Sequence, residues 1–344
     1  MSNNDWKATP PVKKPIAHEH PVLLEETFDP SRHLRFAPPS KIHSMEELGF
    51  DRDIGVSPVA VSEPFPLFSQ EAVARFREEV LSDEVRNNFK VSSNLAHCQL
   101  RGFADKCAPF IYETWNNPEV LRIISGIAGI ELVPAMDLDI SHINLSLQDQ
   151  DTVAEERHAV QDSEDDDKNA LVGWHKDSYP FVCVVMLSDC SQMMGGETAL
   201  RTGTGEILKV RGPHMGCAVV LQGRYIEHQA LRTLGGAERI TMVTSFRPKD
   251  PFARDDTVLT TIRPITNLVE LYAQYGEYRL GILEERIRAE VKKIREARDA
   301  GRAISTRKFK SFLEEQQRFI EQTNREIVEE DQVTVGEMPS THVQ

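Results

Sequence analysis

Apolar positions in the first part of the chain recur at helical spacing. After Ser69, apolar residues three or four positions apart predict an amphipathic helix that the serine hydroxyl caps. A second helix is predicted over residues 105–115. A third is predicted to begin at Asn117-Pro118, because asparagine caps helices well and proline is tolerated in the first helical turn.

The pattern changes after these helices to short apolar or alternating runs. Eight such runs are separated mostly by glycine-containing turns, as is typical of strands. They cover residues 138–147, 171–177, 181–188, 197–201, 206–210, 217–222, 226–230 and 239–246. Eight short strands after a run of helices predict a mixed α+β fold. Its core would be a double-stranded β-helix, the jelly-roll or cupin-like arrangement, flanked by N-terminal helices and a C-terminal helical extension.

Composition along the chain predicts four segments. Residues 1–60 are rich in proline, histidine and charge and form an N-terminal arm, and residues 61–262 form the jelly-roll domain. Residues 263–330 form the helical extension and residues 331–344 a tail. Within the domain, residues 148–170 are polar and acidic, so they predict a mobile insert that is either a lid or a solvated loop. The C-terminal helices suit a hairpin on the core or a homodimer contact, and their sequence does not decide between the two.

Overall composition narrows the class of protein. Hydrophobic residues make up 40% of the 344 positions, enough for a sizeable core, and the net charge of −14 disfavours nucleic acid as a partner because phosphate is repelled. The five cysteines match neither the spacing of a zinc cluster nor that of a disulfide framework, which predicts reduced thiols. No stretch resembles an export signal or a membrane span. We therefore expect a cytoplasmic protein with no membrane partner.

The strongest candidate for chemistry is the segment Gly173-Trp174-His175-Lys176-Asp177. Residues two apart on a strand point to the same face, so His175 and Asp177 are predicted to project together. An imidazole and a carboxylate are two of the three ligands in the 2-His-1-carboxylate site that holds Fe(II). His228, on a later predicted strand, would supply the third ligand. Three protein ligands leave coordination positions open for a chelating cosubstrate and O₂.

A carboxylate anchor is predicted on the last strand, at Arg239-Ile240-Thr241. Alternation places Arg239 and Thr241 on one face, where a guanidinium fork and a hydroxyl can bind a carboxylate together. This pair suits the distal carboxylate of 2-oxoglutarate, whose keto-acid end would chelate the iron. Arg247 continues the same face and is a candidate either for a substrate carboxylate or for a salt bridge at the strand end.

Together these motifs resemble those of the Fe(II)/2-oxoglutarate-dependent dioxygenases. The resemblance rests on His175-x-Asp177, His228 and Arg239-x-Thr241, and it covers residues 135–248. The chain is similar overall to fungal secondary-metabolism members of this family. One group of these members modifies small amino acids and includes an enzyme that closes an aziridine ring.

The resemblance implies an oxidoreductase that uses Fe(II), 2-oxoglutarate and O₂ to oxidise a small organic molecule. It implies that succinate and CO₂ are released and that a substrate hydrogen is abstracted, with hydroxylation, desaturation or ring closure as the outcome. Halogenating members of the family lack the metal-binding carboxylate, so the presence of Asp177 favours oxygenation.

Alternative interpretations of the same residues stay open. Taken alone, His175 and Asp177 could be an ordinary polar pair on an exposed strand. The chain would then be a non-catalytic jelly roll that binds a small ligand or another metal. A demethylase or hydroxylase acting on protein or nucleic acid is a third alternative. Tyr179 and Asn144 are candidates for the substrate pocket, whereas Trp174 is expected in the core.

Overall fold

The computed structural model describes most of the chain between residues 27 and 338. The exceptions within that range are residues 95, 97, 148–169, 190–193, 211–213, 232 and 235–237. The predicted acidic insert, except residue 170, therefore lies outside the described residues, as do residues 1–26 of the arm and residues 339–344 of the tail.

The α-helices of the described residues are short before the sheets and long after them. They are α1 (Pro30–His33), α2 (Gln70–Val80), α3 (Asp83–Asn88), α4 (Ala104–Cys107), α5 (Pro109–Asn116), α6 (Pro118–Ala128), α7 (Leu268–Asp299) and α8 (Thr306–Glu326). Single 3-10 turns cover Asp137–Asp139, Arg263–Ile265 and Glu330–Gln332. Among the described helices, none combines the length and the hydropathy that crossing a bilayer requires.

Local capping sets the limits of the early helices. The Ser69 hydroxyl accepts a hydrogen bond from the Ala72 amide at the start of α2, as predicted. Asn117 caps α6, which ends where Gly129 adopts the left-handed conformation with φ of 70°. The predicted helix over 105–115 is wrong as one element, because helical geometry is disfavoured for the residue before a proline. Ala108 has φ −132° and ψ 68°, and this break separates α4 from α5.

Sixteen strands are present in the described residues, and all of their pairings are antiparallel. They are β1 (Ile42–Ser44), β2 (Val59–Ser62), β3 (Phe65–Pro66), β4 (Lys90–Val91), β5 (Gln99–Leu100), β6 (Leu132–Pro134), β7 (His142–Leu147), β8 (Ala170–His175), β9 (Phe181–Met186), β10 (Met194–Gly195), β11 (Thr198–Arg201), β12 (Ile207–Val210), β13 (Cys217–Leu221), β14 (His228–Leu231), β15 (Thr233–Leu234) and β16 (Glu238–Pro248).

The strands form two main sheets that enclose the candidate site. The larger sheet runs β1-β2-β13-β9-β16-β7-β5-β4, with β3 paired to β13 and β6 to β16. The smaller sheet runs β12-β11-β14-β8. Strands β10 and β15 form a separate two-stranded sheet. The first predicted strand begins at His142 rather than at residue 138, because Asp137–Asp139 form a 3-10 turn. Helices combined with antiparallel sheets confirm the predicted mixed α+β class.

The main apolar core lies between the larger sheet and the helices α2, α5 and α6. Trp115 of α5 is fully buried and packs edge-on against Phe246 of β16, with ring centroids 5.9 Å apart. Phe76 and Ile124 belong to the same buried cluster. Each side chain of this size stabilises the fold by about 1.5–3 kcal/mol when it is fully buried. The larger sheet, which includes the predicted anchor strand β16, is therefore packed on one face against this apolar core.

The C-terminal helices pack beside the sheets only along part of their length. Leu271 and Tyr275 of α7 are fully buried in a cluster with Tyr179. Further along, Leu280 of α7 is 65% exposed and Leu313 of α8 is 50% exposed. The homodimer contact through these helices stays a prediction.

Candidate metal centre

The two predicted histidine ligands are direct neighbours on adjacent strands of the smaller sheet. His175 is the last residue of β8 and His228 is the first residue of β14, and the register pairs them with each other. Their rings lie 4.4 Å apart between centroids. The strand pairing therefore brings together two imidazoles that are far apart in the sequence.

An irregularity in β8 directs His175 into the space between the sheets. Ala230 pairs with Val172, so β8 has one more residue than β14 between this pair and the pair formed by His175 and His228. This extra residue is a β-bulge, which changes the direction of the side chains that follow it. Val172 and His175 consequently both line the cavity although they are three positions apart.

Asp177 reaches the same point from outside the strand. The prediction that a strand covers residues 171–177 is wrong at its end, because β8 stops at His175 and Asp177 lies in the turn that follows. The Asp177 amide donates a hydrogen bond of 3.0 Å to the Gly223 carbonyl, which fixes this turn against the one before β14. A Cβ atom at position 223 would lie only 1.8 Å from Asp177 Oδ2. Glycine is therefore required at 223 for the carboxylate to occupy its position.

The three side chains converge on one point. His175 Nε2 lies 3.5 Å from Asp177 Oδ1, and His228 Nε2 lies 3.5 Å from Asp177 Oδ2. One ligand atom from each residue lies within 4.8 Å of the others. Within the described part of the chain, these three residues form the group of histidine, cysteine, aspartate and glutamate side chains that could hold a metal ion.

Backbone carbonyl groups fix the orientation of both imidazoles. His175 Nδ1 lies 2.7 Å from the Gly173 carbonyl oxygen, and His228 Nδ1 lies 2.9 Å from the Ile226 carbonyl oxygen. A carbonyl oxygen only accepts, so each Nδ1 carries the proton and donates it. Each Nε2 then keeps its lone pair for a metal, which is the tautomer that metal-binding histidines use.

Burial and mutual charge set the protonation of the three groups without a metal. Burial opposes a charge on His175, but the hydrogen bond and the charge of Asp177 outweigh it and raise the pKa of His175. Burial lowers the pKa of His228, so this imidazole is neutral. For Asp177, burial is outweighed by the neighbouring His228 and His175, and the pKa of the carboxyl is lowered. An ionised carboxylate between two imidazoles results.

This arrangement fits a divalent transition-metal ion. Asp177 Oδ2 is buried and has no hydrogen-bond partner among the described residues, which is costly for an ionised carboxylate unless a cation binds it. Two imidazoles and one carboxylate form the donor set that is typical of non-haem Fe(II) sites with open positions.

The predicted carboxylate anchor lies in the wall of the same cavity. Arg239 and Thr241 of β16 are buried and line it, followed along the strand by Val243 and Ser245. Arg239 Nη2 lies 3.5 Å from the Gly196 carbonyl oxygen. Alternation along β16 therefore brings the guanidinium and the hydroxyl to the side of the sheet that lines the same cavity as the candidate metal ligands.

The structure separates the three predicted substrate residues. Tyr179 and Asn144 line the cavity, and the buried Tyr179 hydroxyl donates a hydrogen bond to Asp139 Oδ2. Arg247 does not line it, since its guanidinium lies over the ring of Tyr278, 4.8 Å from the centroid. Trp174 was expected in the core, and this prediction is wrong. Its side chain is partly exposed, and the Arg201 guanidinium lies 4.6 Å from its ring centroid.

Several cavity residues were not predicted from the sequence. They are Gln99 and Arg101 beside β7, Asp139 in the 3-10 turn, and Thr261, Ile262, Ile265 and Met338 from the C-terminal part of the chain. None of them belongs to a local motif. His142, which also lines the cavity, alternates with Asn144 on β7, so strand spacing does place it on the same face. The other residues reach the cavity through long-range packing, which local spacing does not reveal.

Comparisons with known proteins give low-level structural likenesses. No protein-family model matches the chain, and no curated protein matches it. AviO1 from Streptomyces viridochromogenes Tue57 is 15% identical over 62% of this chain and 98% of that chain, with a TM-score of 0.40. A Pseudomonas putida prolyl-4-hydroxylase is 14% identical over 53% of this chain and 88% of that chain, with a TM-score of 0.35.

An oxidoreductase of the 2OG-Fe(II) oxygenase family from Burkholderia pseudomallei is 17% identical over 46% of this chain and 63% of that chain, with a TM-score of 0.30. The non-heme alpha ketoglutarate dependent carbocyclase SnoK from nogalamycin biosynthesis is 14% identical over 61% of this chain and 88% of that chain, with a TM-score of 0.36. The similarity to an aziridine-forming group stays a prediction. At these identities and TM-scores the likeness carries no weight for an activity, so a function must be argued from the site itself.

Proposed function

We propose that this protein is a non-haem Fe(II)/2-oxoglutarate-dependent oxygenase that oxidises a small organic molecule. One observation carries the proposal. Two imidazoles, each with its Nδ1 bound to a backbone carbonyl, present their Nε2 atoms to the buried Asp177 carboxylate, in a cavity that Arg239 and Thr241 also line. A metal ligand set and a dicarboxylate anchor in one cavity are what this cosubstrate requires.

We further infer that the core is a double-stranded β-helix. The order β7-β16-β9-β13 in the larger sheet and β8-β14-β11-β12 in the smaller one supports this arrangement. Successive strands leave one sheet for the other, apart from β11 and β12, which are hairpin partners in the smaller sheet. Eight strands wound in this way between two antiparallel sheets are typical of the jelly roll.

The roles of the residues follow from their positions. His175, Asp177 and His228 would hold the iron, and Arg239 with Thr241 would bind the distal carboxylate of 2-oxoglutarate. Arg239 is 4% exposed, so a carboxylate bound to it is shielded from water and the ion pair is strong. When bound, Fe(II) supplies the activation of O₂ that couples decarboxylation of 2-oxoglutarate to oxidation of the substrate.

The protein's own part in this chemistry is to position the reactants and to exclude water. The metal-facing side chains are 18% exposed or less, and the cavity walls beside them are largely valine and leucine. We propose hydroxylation, desaturation or ring closure of the substrate as the outcome, with release of succinate and CO₂.

The alternative function is that of a non-catalytic jelly roll that binds a small ligand or another metal. The anchor separates the two functions, because a simple metal site needs no buried arginine beside it. A binding protein would hold the metal without consuming 2-oxoglutarate.

Conversion of 2-oxoglutarate to succinate tests the proposal. Purified protein supplied with Fe(II), 2-oxoglutarate and ascorbate in air should release succinate above the level of a metal-free sample, with ascorbate supplying the two electrons that the main substrate would otherwise give. His175→Ala should abolish this release, and Arg239→Ala should require far more 2-oxoglutarate to support it. His214→Ala, at an exposed histidine outside the cavity, is the matched control. Equal succinate release by the wild type and His175→Ala would contradict the proposal.

A further inference from the structure

The cavity continues beyond the metal ligands along the inner face of β5 and β7. The register pairs Leu100 with Ile143 and Gln99 with Asn144, which places His142 beside Arg101. Gln99, Arg101, His142 and Asn144 all line the cavity. None of them belongs to the metal ligand set or to the carboxylate anchor on β16.

Arg101 determines which nitrogen of His142 carries the proton. Its Nη1 lies 3.3 Å from His142 Nδ1, and a guanidinium only donates hydrogen bonds. His142 Nδ1 therefore accepts, and the proton of the neutral ring sits on Nε2. The Nε2 atom is buried and has no hydrogen-bond partner among the described residues. A buried donor of this kind is destabilising as long as nothing accepts from it.

Gln99 presents the complementary group to the same space. Its Nε2 donates to Asn144 Oδ1 at 3.3 Å, which turns Oε1 away from that partner. Gln99 Oε1 is buried and has no hydrogen-bond partner in the part of the chain that the structure describes. The wall thus offers one donor and one acceptor on neighbouring strands, and a ligand that satisfies both must contain an acceptor and a donor.

The charges around this wall are balanced within the protein. Arg101 Nη2 lies 2.5 Å from Asp139 Oδ1, and both side chains are 2% exposed. Tyr179 and Thr266 complete the pair, since the tyrosine hydroxyl donates to Asp139 and Arg101 Nε donates to the threonine hydroxyl at 2.9 Å. A ligand group with a net charge would find no counter-charge here and would be costly to bury. The wall therefore favours a net-neutral polar group.

Part of the lining of this space is apolar and comes from the C-terminal part of the chain. Ile262, Ile265 and Met338 line it. Met338 is held by Asn94, whose side chain donates to the Met338 carbonyl and accepts from the Met338 amide, each at 3.0 Å. Because this double hydrogen bond fixes the backbone, the methionine side chain is a defined wall of the cavity.

We propose that this region binds the substrate by a net-neutral amide-like group, with a small apolar body beside it. His142 Nε2 donates to the carbonyl oxygen of that group, Gln99 Oε1 accepts from its N–H, and the apolar body contacts Ile262, Ile265 and Met338. His142 is in this role a specificity-determining residue. The inference rests on the proposed function, because it takes the neighbouring metal centre as the place of reaction.

Three small molecules with the same carbon skeleton test the chemical class. Isobutyramide offers both hydrogen-bonding functions, isobutyrate adds a negative charge and isobutylamine adds a positive one. Their binding is measured by ligand-observed NMR on protein loaded with Zn(II), which is diamagnetic, and with 2-oxoglutarate. We expect isobutyramide to bind with a Kd of about 1 mM, the range for a fragment of this size, and the charged analogues about tenfold more weakly. Equal binding of the three molecules, or binding of none, would overturn the proposal.

Variants at His142 separate a hydrogen bond from simple packing. His142→Phe keeps a ring but removes the donor, and the Kd for isobutyramide should rise about tenfold. His142→Gln keeps an N–H donor and should restore most of the binding. His214→Phe, at an exposed histidine, should bind like the wild type. Unchanged binding in His142→Phe would contradict the role of His142.

The binding of Zn(II) and 2-oxoglutarate, measured in the same samples, keeps the two levels of inference apart. If 2-oxoglutarate does not bind to the wild type, the proposed function fails. If 2-oxoglutarate binds but the Kd for isobutyramide is the same in the wild type and the His142 variants, only the substrate class is wrong. Met338→Ala should raise the preference for hexanamide over isobutyramide, whereas Val335→Ala, at a position that is 85% exposed, should not. An unchanged preference in Met338→Ala would remove Met338 from the binding wall.

Discussion

The two ends of the cavity are built in different ways. At the metal end, two histidines are paired across β8 and β14, and Asp177 follows β8 directly in the chain. At the far end, Arg101, Asp139 and Met338 come from distant parts of the chain and meet only through tertiary packing. Short spacings along the chain are therefore enough to encode the candidate metal ligands, whereas the far end of the cavity depends on the whole fold.

The two ends also differ in how their charges are satisfied. The Arg101–Asp139 pair is closed within the protein, as its short contact and its burial indicate. The Asp177 carboxylate is incomplete, because Oδ2 has no hydrogen-bond partner among the described residues. A change at the far end should therefore affect mainly stability and substrate binding, while a change at the metal end should affect mainly metal affinity.

Breaking the closed ion pair should have the largest effect on stability. Arg101→Met leaves Asp139 as a buried carboxylate without its cation, and the free energy of unfolding should fall by about 3–5 kcal/mol in urea denaturation. Arg52→Met is the matched control, since Arg52 and its partner Glu46 are 83% and 68% exposed, and it should change stability little. An equally small effect for both variants would show that the buried pair does not hold this end together.

A change that leaves all three metal ligands in place should still weaken metal binding. Gly223→Ala puts a Cβ atom within 1.8 Å of Asp177 Oδ2, so the carboxylate must move, and the affinity for Mn(II) or Co(II) should fall about 10–100-fold in calorimetric titration. Gly281→Ala serves as control, because its added Cβ would meet no atom within 4 Å. Wild-type affinity in Gly223→Ala would rule out the assigned position of the Asp177 carboxylate.

Acidity should act on the metal end with a defined sign. The raised pKa of His175 means that a proton on it stabilises the metal-free protein at low pH, a contribution that is lost as the pH rises through that pKa. Metal binding needs the deprotonated ring. The increase in Tm caused by Mn(II) should therefore be larger at pH 8 than at pH 6. The corresponding gain in the free energy of metal binding is up to about 1.4 kcal/mol per pH unit. An increase in Tm that is independent of pH would speak against His175 as a ligand.

The smallest effect is expected outside the cavity, on the partly exposed side of β8. Arg201 lies over the ring of Trp174 and pairs with Glu227 at 2.7 Å, with 41% of the arginine side chain exposed. Arg201→Ala should lower the free energy of unfolding by about 0.5–1 kcal/mol and leave metal affinity unchanged. A larger loss of metal affinity would mean that this contact helps to position His175.

Much of the fold was predictable because its signals are local. The caps at Ser69 and Asn117 and the glycine-containing turns between strands depend on neighbouring residues alone. The break between α4 and α5 was also encoded locally, by Pro109. The start of β7 was misplaced because apolar residues in a 3-10 turn are indistinguishable from the beginning of a strand.

The candidate metal ligands were predicted from the sequence, although by a simpler geometry than the one in the structure. Strict alternation placed His175 and Asp177 on one strand, whereas a bulge in β8 and the turn at Gly223 bring them together. Arg101 and Met338 had no local signal, since their positions depend on contacts with His142 and Asn94 that only the folded chain makes. Residues held by such distant partners are beyond the reach of sequence spacing.

We propose above that one cavity holds Fe(II) through His175, Asp177 and His228 together with a chelated 2-oxoglutarate. The most direct test is the visible spectrum of the protein without oxygen, recorded after Fe(II) is added and again after 2-oxoglutarate. We predict a weak metal-to-ligand charge-transfer band that requires both additions, disappears in His175→Ala and needs much more 2-oxoglutarate in Arg239→Ala. Folded wild-type protein that shows no band and binds no 2-oxoglutarate would contradict the claim.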